Sequence, residues 1–409
     1  MSILYISYDG LLEPLGYSQV FSYLKVLSLD RPIHLISFEK PDDWRNVRER
    51  KKLEFEISKT GIIWHPLRYH KKPTAIATTW DIVNGIRMGL WLVFKHRLNI
   101  LHARSYVPSL MALVIKRLTG ASFLFDMRGF WADEKLESGW SSDCTFYKVF
   151  KRLERKFLLK ADYVVSLTHA AVSIMKNFSY LQNRMPPIIV IPTCADLTRF
   201  KPNHINNRGS ELTIGYVGSV RNWYLFEKTA ACFAILLRKL PLTKLLIVNR
   251  NEHAYIREVL ALNGVPLDSV ELISATPDEM PKLMNRMDAN IFFIKPVFSK
   301  QASSATKLGE LLGCGVPCMS NTGVGDMASI LEDSQVGIAL EDFDESSIVT
   351  GLDRLLVLLE DPAISSRCVA VANKYFSLCH GVEKYRYIYK QLDKSNNSSH
   401  NSRFFSYSS

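Results

Sequence analysis

Short β-rich runs alternate with longer helical patterns along this chain, stop at a polar stretch, and then start again. Before the break, residues 3–8, 33–38, 62–67, 100–103, 122–127, 163–167 and 188–191 read as strands. Residues 19–29, 79–95, 109–118, 146–159 and 169–178 read as helices between them. That rhythm means repeated β-α units and a parallel sheet. After Pro192 the segment TCADLTRFKPNHINNRGSE is polar and reads as a link between domains. Strands then resume at 212–217, 244–248, 270–273, 289–294 and 317–320, with helices at 224–240, 252–262, 277–285 and 305–312. A last helical pattern, 346–359 and then 363–392, is long enough to cross back onto the first domain.

The expected fold class is therefore α/β, with two Rossmann-like domains facing across a cleft. The first spans 1–193, a linker 194–210, the second 211–365, a returning helix 366–393, and a polar, disordered tail 394–409. In each domain, ligands are expected beyond the C-terminal ends of the strands. At 409 residues the chain is too long for one ordinary core, which agrees with two domains.

The net charge of +11 is unevenly distributed. Residues 1–200 hold 29 Lys and Arg against 18 Asp and Glu; residues 201–409 hold 22 of each. Basic clusters lie at Arg45/Arg48/Arg50/Lys51/Lys52, at Arg68/Lys71/Lys72, and at Lys148/Lys151/Arg152/Arg155/Lys156/Lys160. Any one of these is explained by a solvated helix face. All of them in one half favour an anionic partner there, and a membrane surface is preferred over nucleic acid, for which no motif is present. No stretch approaches the ~18–20 apolar residues needed to cross a bilayer. The strongest run, 86–94, ends directly at Lys95, His96 and Arg97. The N-terminus enters a strand without a basic region, apolar core and cleavage site, so a cytoplasmic protein peripheral to the inner membrane face is expected. Seven scattered cysteines, with no His near the Cys314/Cys318 pair, read as reduced thiols rather than a metal site.

Residues 303–326, SSATKLGELLGCGVPCMSNTGVGD, carry the clearest chemistry. Ser303, Ser304 and Thr306 lead into a helix bearing Lys307 and Glu310, three apart and so on one face. A helix N-terminus with free N–H groups binds phosphate, Lys307 can neutralise it, and Glu310 can accept hydrogen bonds from sugar hydroxyls. Gly218 and Ser219 end the first strand of the second half, with Arg221 just beyond. They form either a diphosphate site or simply a tight turn with a surface arginine. A nicotinamide-binding Rossmann enzyme is disfavoured. The first strand is followed by DGLLEPLGYS, and GYVGS at 215–219 has only part of the G-x-G-x-x-G fingerprint.

Over most of residues 1–392 the chain resembles the retaining glycosyltransferases of family 4, which have the GT-B fold. KLGELLGCGVPCMSN is similar to that family's donor-site helix, and CADLTRFKP at 194–202 to its G-V-D-x-x-x-F-x-P inter-domain segment. Residues 273–296 resemble the stretch near the nucleobase. SYDGLLEPLGYSQV at 7–20 and FDMRGFWADEK at 125–135 are similar to members that assemble bacterial polysaccharides. By this resemblance Glu310 binds the nucleotide ribose. The family's other glutamate, eight positions earlier, is replaced by Ala302.

The resemblance further implies that Gly16 approaches the transferred sugar, and that His102 or Arg104 faces the cleft and orients sugar or acceptor. His102 also reads as a hydrogen-bonded core histidine, and Asp126 with Arg128 as either cleft lining or a structural pair. The implied reaction is retaining transfer of a sugar from a nucleoside-diphosphate sugar to an acceptor hydroxyl, such as a lipid-linked or polysaccharide precursor. The 1–193 domain then holds the acceptor and the 211–365 domain the donor. No cofactor and no metal are expected, since basic residues can supply a metal's electrostatic role. The alternatives are a catalytically inactive nucleotide-sugar-binding protein, which Ala302 favours, and a nucleotide-sugar epimerase, which lacks evident acid and base residues.

Overall fold

The computed structural model describes residues 2–203 and 211–405, with side chains to residue 396. The chain divides into two compact units. One is Met1–Ile191 together with Cys379–Ser409; the other is Pro192–Leu378.

The first unit is built on a seven-stranded, all-parallel sheet: β1 (Ile3–Ser7), β2 (Ile33–Glu39), β3 (Ile62–Arg68), β4 (Ile100–Arg104), β5 (Ser122–Asp126), β6 (Tyr163–Ser166) and β7 (Ile188–Val190). The order β3-β2-β1-β4-β5-β6-β7 reverses between β1 and β4, the doubly wound arrangement. The β1, β2, β4 and β5 strands are buried along their whole length, as apolar runs covered on both faces should be. After β1 the chain makes a short turn, Pro14–Gly16, a wider π-helical turn, Tyr17–Phe21, and then α1 (Ser22–Leu27). The later helices include α2 (Val47–Ser58), α3 (Thr74–His96), α4 (Tyr106–Thr119), α5 (Thr145–Lys160) and α6 (His169–Lys176).

The second unit repeats the plan with six strands: β8 (Thr213–Val217), β9 (Lys244–Val248), β10 (Val270–Ile273), β11 (Ala289–Ile291), β12 (Cys318–Asn321) and β13 (Gly337–Leu340). Their order, β10-β9-β8-β11-β12-β13, switches between β8 and β11. The helices are α7 (Phe226–Lys239), α8 (His253–Leu262), α9 (Met280–Met284), α10 (Thr306–Gly313), α11 (Met327–Asp333), α12 (Glu345–Glu360) and α13 (Ile364–Phe376). One contiguous core, including Tyr216, Phe226, Phe233, Phe292 and Leu311, lies under them.

Three boundaries differ from the sequence expectation. Residues 194–203 belong to the second unit: Cys194, Ala195 and Phe200 are buried, and the Ala195 N–H donates to the Phe376 carbonyl. The rest of the expected linker, 204–210, lies outside the described residues. The returning pattern also splits at Ser377. Helix α13 stays in the second unit, and α14 (Leu378–Phe405) joins the first. Residues 394–405, expected to be a disordered tail, continue α14; residues 406–409 lie outside the described ones.

Candidate donor-binding site

Strand β8 ends at Val217, and the chain turns at Gly218 with φ +104°, a conformation glycine adopts without strain. A Cβ at Gly218 would lie 3.1 Å from the Lys307 Nζ, so the glycine also lets the lysine pass beneath the turn. Lys307 comes from the first turn of α10, which follows β11 in the chain. The Gly218 and Lys307 pair therefore sits at the second unit's topological switch point, where doubly wound sheets bind ligands.

Lys307 is buried, and its Nζ has no hydrogen-bond partner among the described residues. Aromatic rings surround it instead: Tyr224 at 4.0 Å, Phe292 at 5.0 Å and Tyr216 at 5.2 Å from Nζ to ring centroid. Ring faces attract a cation but replace little of its hydration. Burial accordingly pulls the ammonium down to about 7, with the nearby Glu310 carboxyl opposing the shift. Glu310, half-buried on the same helix face, is pushed up to about 7 by desolvation, against Lys307 and Arg199. An anion placed between the Gly218 turn and Lys307 would give this cation the partner it lacks.

The start of helix α10 is open as well. Its N-cap is Ala305, and no side chain caps the first N–H groups. Gly309 and Gly313 bring the helix close to its supports. A Cβ on Gly309 would lie 2.7 Å from the Phe376 side chain, and one on Gly313 2.8 Å from the Phe200 carbonyl. Both α13 and the 194–203 segment thus press on α10 and fix where Lys307 and Glu310 stand.

The other expected donor-site residues have mixed surroundings. Ser304 is clamped to Thr193: the Thr193 N–H donates to the Ser304 hydroxyl at 3.3 Å, and the Thr193 hydroxyl to the Ser304 carbonyl. Ser303 and Thr306 are half-buried beside it. Ser219 and Arg221, by contrast, are engaged by an acid that sequence reasoning missed. The Glu252 carboxylate accepts from the Ser219 hydroxyl at 2.9 Å, the Val220 N–H at 3.0 Å and Asn249 at 3.0 Å. Partial burial pushes Glu252 up, but those hydrogen bonds and Arg221 outweigh it and hold the carboxyl low. The turn thus already holds a carboxylate, through one backbone N–H and the Ser219 and Asn249 side chains. Arg221 lies over the Tyr255 ring at 3.8 Å. Ala302, where the resembled family has glutamate, is buried in the short 3-10 turn Phe298–Ala302.

An Asp-x-Asp, a spacing that can hold a divalent metal, occurs at Asp342-Phe343-Asp344. Asp344 caps α12 by accepting from the Ser347 N–H at 2.8 Å, so this aspartate serves the helix start.

In the first unit the expected residues separate. Gly16 packs against its own loop: a Cβ there would lie 1.9 Å from the Gly10 carbonyl, so only glycine fits. His102 is 1% exposed. Asp126 receives hydrogen bonds from Tyr385 at 3.1 Å and from His102 Nε2 at 3.5 Å, and Arg128 stands 3.5 Å away. Burial alone would raise the Asp126 carboxyl, but Arg128, His102 and Arg104 together hold it far below its ordinary range. With Asp126 ionised, His102 Nε2 donates to it and Nδ1 accepts from the Tyr389 hydroxyl at 2.6 Å. Burial keeps the ring neutral by lowering its pKa. This is the core-histidine reading, and Asp126 with Arg128 form the structural pair. Arg104, buried, pairs with the half-exposed Asp9 in the loop after β1 and so borders that unit's switch point.

A second histidine at the same sheet end had escaped notice. The wholly buried Asp81 accepts from Tyr8 at 2.9 Å, from the His70 N–H at 3.1 Å and from His70 Nδ1 at 2.6 Å. The pattern was invisible because the partners are 11 and 73 positions apart in sequence.

No protein-family model matches the chain, and no curated protein matches its sequence. Solved structures do match its fold. Sucrose-phosphate synthase from Thermosynechococcus elongatus superposes with a TM-score of 0.72 at 14% identity, over 97% of this chain and all of that one. HepE from Anabaena, in complex with UDP and glucose, gives 0.68 at 14% identity, over 95% and 99%. The lipopolysaccharide outer core galactosyltransferase WaaB gives 0.60 at 11% identity, over 96% and 100%. The fold is that of the GT-B glycosyltransferases: two doubly wound α/β units on one chain.

Proposed function

We propose that this chain is a metal-independent hexosyltransferase. It moves a sugar from a nucleoside-diphosphate sugar to an acceptor hydroxyl, with retention at the anomeric carbon. The observation that carries the reading is Lys307: a buried cation without a hydrogen-bond partner among the described residues, under a glycine turn, beside an uncapped helix start. Such a group costs stability and fits a site whose ligand brings two phosphates. In the reaction, charge builds on the departing diphosphate. Lys307 and the N–H groups of α10 stabilise it there without reorganising. Glu310 receives the ribose hydroxyls. Arg221 reaches the diphosphate only by leaving the Tyr255 ring, and Ser219 only by releasing Glu252. Arg104, held by Asp9, serves the acceptor side.

The acceptor is a lipid-linked or polysaccharide precursor used in building cell-surface glycan, and the protein works at the inner face of the cytoplasmic membrane. Supporting this, the Lys/Arg excess belongs wholly to the first unit, which holds 33 Lys and Arg against 19 Asp and Glu. The second unit holds 18 against 21. No described helix is long and apolar enough to cross a membrane. HepE was solved with UDP-glucose, and WaaB is named a lipopolysaccharide galactosyltransferase, so uridine donors head the trial set.

A panel of nucleotide sugars in a melting assay identifies the donor, because a ligand at ~100 times its Kd stabilises by about 2.7 kcal/mol. Glu310→Ala is expected to lose that stabilisation and all turnover. A variant that still transfers sugar at the parent rate refutes the assignment. Nucleotide binding without any transfer or donor hydrolysis, across donors and acceptors, establishes instead the inactive binding protein that Ala302 favours.

A further inference from the structure

Helix α3 has two apolar faces, and the described residues cover one of them. Its inner face is tightly seated. A Cβ on Gly85 would lie 2.5 Å from Met111 Sδ, and one on Gly89 2.5 Å from Ile115 Cδ1, both on α4. Ala77, Asp81, Leu92 and Val93 are buried on that side as well. On the opposite side Ile76, Trp80, Val83, Trp91 and Phe94 are 70%, 55%, 44%, 50% and 67% exposed. At 100° per residue these five and Arg87 fall within an arc of about 80°. They run ~27 Å along the helix at 1.5 Å per residue. Two indoles and a phenyl ring on one line, facing water, are not what a freely soluble surface carries.

The ends of the stripe are basic. Arg68, Lys71 and Lys72 precede α3, and Lys95, His96 and Arg97 close it, all exposed. Lys95 Nζ lies over the Trp91 ring at 4.4 Å. Arg87, in the middle of the stripe, has a stem long enough to lift its charge clear of apolar surroundings. Tryptophan favours the boundary between headgroups and acyl chains, and flanking cations favour anionic headgroups.

We infer that the outer face of α3 is a membrane-docking surface: it lies in the plane of an anionic bilayer with Trp80, Trp91 and Phe94 inserted at the headgroup boundary. This rests on the membrane placement proposed above and adds its contact element. Charge complementarity selects this occupant over a second copy, because two copies would bring like-charged helix ends together.

The test uses the full chain with vesicles of phosphatidylcholine alone or mixed with phosphatidylglycerol. The parent is expected to co-sediment with the anionic vesicles. Part of the binding should persist at about 0.5 M salt, where screening shortens charge interactions to ~4 Å. Bromine-labelled acyl chains should quench part of its tryptophan emission. The triple variant Trp80→Ser/Trp91→Ser/Phe94→Ser is expected to bind roughly a hundredfold or more weakly, since three large apolar side chains lose their insertion together. It should keep the parent's nucleotide-induced melting shift, which reports on the other unit. Equal binding by parent and variant overturns the α3 assignment while leaving the membrane placement standing. No binding by the parent overturns both. A lipid-free dimer that the triple substitution disperses overturns the inference in favour of an interface between copies. Should the variant not fold, absence of bromine quenching in the membrane-bound parent overturns it alone.

Discussion

Lys307 and Glu310 sit in one turn of helix, and each is drawn by burial toward the same pH from opposite sides. The lysine falls to about 7 and the glutamate rises to about 7. A diphosphate needs the lysine protonated, so affinity should fall as pH rises above 7. Ribose hydroxyls need the glutamate ionised, so affinity should also fall as pH drops below 7. Nucleotide binding followed by calorimetry is thus expected to peak near neutrality, and Glu310→Gln should flatten the acid limb. Stability carries the opposite imprint. Because the folded lysine titrates below its ordinary 10.5, the unfolded chain binds the extra proton between 7 and 10.5. The lysine's contribution therefore makes the free protein more stable as pH rises through that window. Lys307→Met should remove this dependence and, at pH 7, raise stability by on the order of 1–2 kcal/mol while abolishing nucleotide binding. Thermal melting at pH 7 and pH 9 checks both signs.

At the scale of elements, the strand pattern was readable because buried parallel strands are continuous apolar runs, and all seven strands of the first unit stand where the pattern put them. Helix α2 was not readable: RERKKLEFEIS buries only Leu53 and Ile57, too few to show a period. Within the candidate site, the Lys307/Glu310 pair was legible because both lie on one local helix. Glu252 and Asp81 were hidden because most of their partners arrive from loops far away in sequence. The same blindness affected His102. Its role is set by α14, which crosses the sheet of the first unit and delivers Tyr385 to Asp126 and Tyr389 to His102. Arg386 on Asp30 and Arg31 on Asp393 fasten the helix further. Tyr389→Phe leaves the buried His102 Nδ1 without its donor and should cost about 1–3 kcal/mol. Chemical denaturation measures that cost. If His102 acted on substrate alone, the same variant would lower turnover and leave stability unchanged.

At the scale of the whole molecule, a basic unit and a slightly acidic one share a chain whose second unit is continuous from Pro192 to Leu378. A fragment covering 192–378 is expected to fold and bind nucleotide by itself, since the described residues of its core all lie within that range. A fragment covering 1–191 lacks α14 and should stay aggregation-prone until a peptide covering 379–409 is added; circular dichroism and light scattering follow both. The division also sets a calendar for synthesis. As the polypeptide leaves the ribosome, the sheet of the first unit emerges early, yet His102 and Asp126 wait for tyrosines about 260 to 290 residues later. The unit made second can be finished first. The unit made first spends most of translation with an open polar seam, which makes it the part of the nascent chain with most need of a chaperone.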